Sequence, residues 1–509
     1  MVKKESRPRG TLFFHPIPSM SKTTTDTLLS MIREGRRMTL RQQLLLVAQL
    51  SVPSILAQLS SIVMQYIDAS MVGRLGANQS ASIGLVSASL WLIGGICGAV
   101  STGFTVQVAH HIGAKRDNDA RSVFRQSLTL CLIFSAALTL VSVSISPFLP
   151  GWLGGSSEIQ ADASRYFLIF TLALPLLQYD FLASGMLRSS GNMKIPSLIN
   201  VLMCVLDVIF NFLLIFPSHH FTIAGMHFTL PGAGMGVTGA ALGTVLAELV
   251  GCLLMTNYAI RRSPTLRLKG RRGSFKPTRD CIKRAFRISF PMGLQHVLLC
   301  SGYVAIVVIV APLGSFALAA NSFAITAESL CYMPGYGIGD AATTLVGQSI
   351  GARREDLTRR FANITVVLGM ITMGVMGILM YVAAPLMMGF MSPINEIVEL
   401  GTQVLRIEAW AEPLFAAAIV CYSIFVGAGD TLKPSAMNLL SMWGVRITLA
   451  WLLAPVMGLK GVWLAMCIEL MFRGCIFIAR LKWGNWTHLS AKTTTTQEKH
   501  TPTTRITQK

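Results

Sequence analysis

The sequence predicts an all-α integral membrane protein: twelve transmembrane helices in two pseudo-symmetric six-helix lobes. Three observations predict it. The chain has too little charge to cover a soluble surface, its apolar residues fall into membrane-length stretches, and its second half repeats the landmarks of its first.

Of 509 residues, 52% are hydrophobic and 13% are charged. A soluble domain carries about 25% charged residues, and a single soluble core stops growing beyond roughly 250–300 residues. The bilayer is the remaining place for this much apolar surface. A helix needs about 20 mainly apolar residues to cross it. Such stretches fall near 45–72, 80–109, 122–149, 163–187, 195–217, 236–260, 282–311, 316–349, 359–388, 399–427, 434–456 and 459–480. Several are longer than a span requires and are expected to tilt, bend or protrude.

The net charge of +20 could suggest a nucleic-acid partner, but its distribution excludes that. Lys and Arg cluster in the N-terminal arm, in the C-terminal tail and in loops at 115–125, 261–287 and 353–360. All but six of the 43 basic residues (Arg74, Arg165, Arg406, Arg446, Lys460 and Arg473) fall on one side of the alternating loops or in the tails. This is the positive-inside asymmetry, and it predicts that both termini are cytoplasmic. The arm lacks a signal-peptide core, so the first span is expected to act as an uncleaved anchor. The expected organisation is a basic arm (1–44), a first lobe (45–260), a basic cytoplasmic linker (261–281), a second lobe (282–482) and a disordered Thr-rich tail (483–509). Ten cysteines are scattered singly without a C-x-x-C pair, which predicts packing thiols and no metal or disulfide framework.

The repeat has an offset of 238 residues. It pairs Pro53 with Pro291, Gly76 with Gly314, Ile112-Gly113-Ala114 with Ile350-Gly351-Ala352, and Pro175 with Pro413. Gly191 and Gly429, Pro196 and Pro434, and Asn200 and Asn438 continue it. An insertion at 218–233 then shifts the register by sixteen. Six spans per half make the repeats parallel, a common plan for transporters that handle substrate at the repeat interface. No segment reads as a channel filter.

An acid inside hydrocarbon is costly and marks a functional site. Asp68 lies in the first span and Asp207 in the fifth, with Asn211 one turn further on the same face. Their repeat counterparts are Ile306 and Val445, so the fold itself does not require carboxylates there. Paired acids can take a proton from one side and release it to the other; the bland alternative is a structural pairing between helices. Asp180 matches Ala418 and is a third candidate in the same half. Glu328, Glu408 and Glu412, with Asp340 behind them, are second-half candidates for holding a cationic substrate in the cleft. Arg446 is expected to neutralise a buried acid, while Glu248 and Glu469 are open to a structural role. Pro53 and Pro291 are expected to kink their helices.

The segments PSILAQLSSIVMQYIDASMVGRLG, VAHHIGAKRD, GMLRSSGNMKIP and VLMCVLDVIFN resemble multidrug and toxic compound extrusion (MATE) transporters, as do LVGQSIGARRED and FVGAGDTLKP. The resemblance covers roughly 45–482 and implies efflux of organic, often cationic or amphipathic, compounds in exchange for H⁺ or Na⁺. It is nearest the DinF-like branch, in which Asp68, Asp207 and Pro53 match the first-span acid, the fifth-span acid and the kink proline. Met203 stands where family members often carry Asn, and GLQHVLLCSGY shows no acid in the seventh span. Both departures favour H⁺ over Na⁺ as the coupling ion. No cofactor is expected, and the partners are a small organic substrate, the coupling cation and the lipid bilayer. A monomer in a bacterial inner membrane is expected.

The competing readings are a dedicated metabolite exporter, a lipid-linked precursor flippase of the wider superfamily, and a membrane-embedded enzyme. Against the enzyme, His110 and His111 form no acid–His constellation, and the chain has no phosphate-binding loop. His219, His220 and His227 in the insertion are weak metal candidates only.

Overall fold

A computed structural model describes residues 25–223 and 226–487, the side chains of 219–231 excepted. A short helix, α1 (Thr25–Glu34), precedes the long α2 (Leu40–Gly73). Thr39 starts α2: its hydroxyl accepts from Gln42 N while its own backbone N–H donates to Gln42 Oε1, a reciprocal cap. The first half continues through α3 (Ala77–Gly113), α4 (Asp117–Ile145), the single turn α5 (Leu149–Trp152), α6 (Ser157–Leu172), α7 (Leu174–Ser189), α8 (Lys194–Ile215) and α9 (Gly236–Arg261). The insertion between α8 and α9 is an antiparallel ribbon of β1 (Pro217–Ile223) and β2 (Met226–Ala233), the one departure from an all-helical chain among the described residues. The side chains of its three histidines lie outside the described residues.

The second half holds α10 (Arg279–Val310), α11 (Ser315–Gly351), α12 (Glu355–Met391), α13 (Asn395–Glu408), α14 (Glu412–Gly427), α15 (Leu432–Ser441), α16 (Thr448–Met457) and α17 (Leu459–Trp483). A π-helical stretch, Met442–Ile447, joins α15 to α16.

Among the described residues nine helices are long and apolar enough to cross a membrane, or eleven when each of two bent pairs counts as one span. The bends are 48° between α6 and α7 and 61° between α13 and α14. Pro175 and Pro413 stand in the first turn after each break, where a missing N–H costs no helical bond. The expected span at 316–349 is α11, a 37-residue helix, but hydropathy does not count it. Asn321, Glu328, Thr344 and Gln348 are buried along it.

The repeat is written into the backbone. Helices α3, α4, α6, α7 and α8 begin at 77, 117, 157, 174 and 194, and α11 to α15 begin 238 residues later at 315, 355, 395, 412 and 432. Positive φ occurs in matched pairs at the same offset: Gly76 with Gly314, Lys115 with Arg353, and Gly191 with Gly429.

Helices α3–α9 pack largely on one another, as do α11–α17, while α2 packs most closely on α11 and α10 on α3 across the seam, where α3 also meets α11. Where α3 and α11 cross, a Cβ on Gly113 would lie 2.1 Å from Gln348 O, and one on Gly351 would lie 2.1 Å from His110 O. His110 and Gln348 are themselves 238 residues apart, so the crossing lies on the pseudo-two-fold. Only glycine permits that approach.

The arm expected at 1–44 is structured in its second part. Helix α1 buries Leu28, Leu29 and Ile32 against Leu46 and Leu50 of α2 and against Ala341, Leu345 and Phe361 of the second half. Arg33 donates to Gln348 Oε1 at 3.3 Å. Residues 1–24 lie outside the described chain. At the other end Trp486 is 1% exposed and packs edge-on to Phe425 at 5.8 Å, so the tail first becomes undescribed at 488.

Candidate functional site

The site begins with the small residues of α9. Gly239, Gly243, Ala247 and Gly251 recur every four residues and give α9 a flat face, the spacing that lets membrane helices approach closely. A Cβ on Gly239 would meet Leu214 O at 2.4 Å, and one on Gly243 would meet Asn211 Oδ1 at 2.1 Å. Helix α8 therefore lies directly on α9, and Asn211 and Asp207 are trapped between it and α2. Asp207 is 0% exposed and Asn211 1%.

Asn211 ties the group together. Its Nδ2 donates to Asp68 Oδ1 at 3.0 Å and to Asp207 Oδ2 at 3.1 Å, with Thr244 Oγ1 at 3.5 Å. The Asn211 amide thus bridges the two carboxyl groups. Tyr166 of α6 lies within electrostatic reach of Asp68, Asp207 and Glu248. Asp207 Oδ1 and Asn211 Oδ1 are buried without a hydrogen-bond partner among the described residues.

Asp180 stands apart from this pair. It sits on α7, and its Oδ1 has no hydrogen-bond partner among the described residues.

The second-half acids occupy two settings. Glu408 ends α13 and Glu412 begins α14, on either side of the 61° break. Both are 0% exposed, and neither carboxyl has a hydrogen-bond partner among the described residues. Glu328 of α11 is also buried. The three acids are thus enclosed in the second half in this conformation. Asp340 is already neutralised: Arg188 Nη1 lies 2.6 Å from its Oδ2, and Ser54 donates to the same oxygen at 2.9 Å. Arg446, from the π-helical stretch that replaces the Asp207 position, faces Glu469 Oε2 at 3.2 Å. Arg473 and Ser441 hold the other oxygen of Glu469, each at 2.5 Å. Pro53 lies inside α2 and Pro291 inside α10.

Thr244, Tyr166 and the Arg188–Asp340 pair escaped the sequence reading. The four-residue ladder on α9 was the available signal for Thr244. Among the described residues no group of three His, Cys, Asp or Glu side chains is placed to hold a metal ion.

The MatE family model matches the chain over residues 53–213 and 291–452, one match in each half. The chain belongs to the MatE family of secondary transporters. As a MatE protein it is a transport protein and not an enzyme. It is similar to the probable multidrug resistance protein NorM of Thermotoga maritima, 24% identical over 427 residues, covering 82% of this chain and 88% of that one. The probable multidrug resistance protein YoeA of Bacillus subtilis is 24% identical over 416 residues, covering 81% and 88%. Its fold superposes on a crystal structure of MATE in complex with MaL6 with a TM-score of 0.80 at 19% identity, covering 91% of this chain and 99% of that one. It also superposes on the outward-facing conformation of a multidrug resistance MATE transporter of the MOP superfamily, with a TM-score of 0.80 at 19% identity and coverage of 90% and 98%. The MatE fold of this multi-pass membrane chain is thereby established.

Proposed function

We propose that this transporter exports small organic, cationic or amphipathic compounds in antiport with H⁺, and that Asp68 and Asp207 carry the proton. The observation behind this reading is the amide of Asn211 shared between the two carboxyl groups inside the bilayer. Like charges at that distance repel, and a proton held between the acids removes the repulsion. Releasing it separates α2 from α8, which gives the ion a mechanical effect. Pro53, fifteen residues before Asp68 on α2, is the hinge through which that change reaches the seam. Asp180 and Glu248 would relay the proton towards α7.

The printed names of the relatives support multidrug efflux as the substrate class. Coupling acids confined to the first half favour the DinF-like branch, and an amide donor between the acids favours H⁺ over a cation that needs a shell of oxygens. Glu328, Glu408 and Glu412 would receive the positive charge of the substrate once the α13–α14 break opens. Counting α11 and the two bent pairs as spans restores twelve helices in two six-helix lobes, bounded near 45–260 and 282–482. The basic loops favour a cytoplasmic side for the closed seam at Gly113 and Gly351, in a bacterial inner membrane where the protein would act as a monomer.

The test is uphill transport in proteoliposomes holding an organic cation such as ethidium. A pH gradient should drive flux in the wild type and not in Asp68→Asn or Asp207→Asn. Flux driven by Na⁺ alone would replace the ion, and flux retained by both variants would remove these acids from the mechanism.

A further inference from the structure

The connection between the halves, residues 262–278, is fastened along one face of α4. Arg121 Nε donates to Thr265 O at 2.9 Å, Arg125 Nη2 to Arg271 O at 3.1 Å, and Thr129 Oγ1 to Phe275 O at 3.0 Å. Gln126 Oε1 accepts from both the N–H and the hydroxyl of Thr278 at 2.9 Å. Residues 121, 125 and 129 are successive turns of one helix face, so the connection descends about 12 Å along α4. It is a built surface with fixed side-chain positions.

That surface encloses a cleft of about 340 Å³ between α4, the end of α9 and the connection. Leu128, Ile260, Leu268 and Phe275 give it an apolar lining, and Arg261 and Lys269 line it as well. Both basic side chains are exposed, and neither has a hydrogen bond or ion pair among the described residues. Phe275 is 52% exposed. Between 261 and 287 the chain carries eleven basic residues and a single acid, Asp280.

We infer that this cleft binds an anionic phospholipid of the leaflet that faces the basic loops. The phosphate lies between Arg261 and Lys269, and an acyl chain lies along Leu128 and Phe275. The pairing of two basic side chains with an apolar lining selects an amphiphile over a free anion. Each basic side chain that meets the phosphate contributes about 1 kcal/mol, or roughly fivefold in affinity. Bound there, the lipid fixes the strap that joins the halves to the first half, independently of the ion that drives transport.

The probe is a fluorescent short-chain phosphatidylglycerol, titrated into the purified full chain in uncharged detergent. It should bind the wild type at least about tenfold more tightly than the matching phosphatidylcholine. Arg261→Gln and Lys269→Gln should each lose about fivefold, and Phe275→Ala should weaken both lipids. Arg271→Gln with Arg272→Gln, outside the cleft, should change little and serves as the folded control. Equal binding of the two lipids would overturn the site. So would equal loss in the control, which would indicate general surface charge, or full competition by inorganic phosphate, which would indicate a site for the free anion.

Discussion

Arg188 and Asp340 meet across the seam between the halves, Nη1 to Oδ2 at 2.6 Å, and the nearby Thr344 hydroxyl donates to Arg188 O at 3.1 Å. Gln348 adds a bond to Ser189 O at 2.8 Å, and His110 Nε2 lies 2.8 Å from Gly427 O. These contacts close the end of the bundle covered by α1, and the proposed exchange of the ion and substrate across the membrane would break them.

Removing one partner should loosen that end. A hydrogen bond to a charged group contributes about 1.5–3 kcal/mol, so Asp340→Asn should raise the open population roughly tenfold or more. A cysteine at Thr344, in a Cys475→Ser background, should then react faster with a bulky membrane-impermeant maleimide. An unchanged rate would show that the pair does not hold the seam.

The glycine crossing predicts a coupled effect. Gly113→Ala and Gly351→Ala each force a Cβ against a carbonyl, and overpacking of that kind costs about 1–3 kcal/mol. The double variant should cost less than the sum, because either substitution already parts the same crossing. Melting of the four proteins in detergent measures this directly.

Asn211→Ala leaves Asp68 and Asp207 without their shared donor. Proton-driven transport should fall about tenfold at unchanged expression, given a net worth of about 1–1.5 kcal/mol for such a bond. Thr244→Val, which removes the 3.5 Å contact, should have a smaller effect.

The buried acids of the second half should divide by their partners. Glu469→Gln strands Arg446 and should destabilise the protein by about 3–5 kcal/mol. Glu412→Gln disturbs no hydrogen bond among the described residues, so melting should shift little while the affinity for organic cations falls. Equal melting losses in both variants would contradict this division.

Much of the fold was legible because hydrocarbon imposes long apolar stretches and because the repeat preserves its turn residues. Gly76, Gly191 and their partners stand out in the sequence for the same reason that they hold positive φ in the structure. Asp68, Asp207 and Asn211 were legible as isolated polar residues in apolar helices. The breaks before Leu174 and Glu412 were marked in the sequence only by Pro175 and Pro413, the proline that follows each one. Helix α1 was hidden because ten residues are too few to hold a helix alone, and its stability comes from Leu28, Leu29 and Ile32 packing across the seam. The Arg188–Asp340 pair lies 152 residues apart in sequence, a distance that no local pattern spans.

The most direct test of the central claim is proton release on substrate binding. Purified protein in weakly buffered detergent solution, with a pH indicator present, receives an organic cation, and the protons released per substrate bound are counted. Release from the wild type that disappears in Asp207→Asn, with substrate binding retained, is the predicted result. The same release from Asp207→Asn would contradict the assignment of the proton to the Asp68–Asp207 pair.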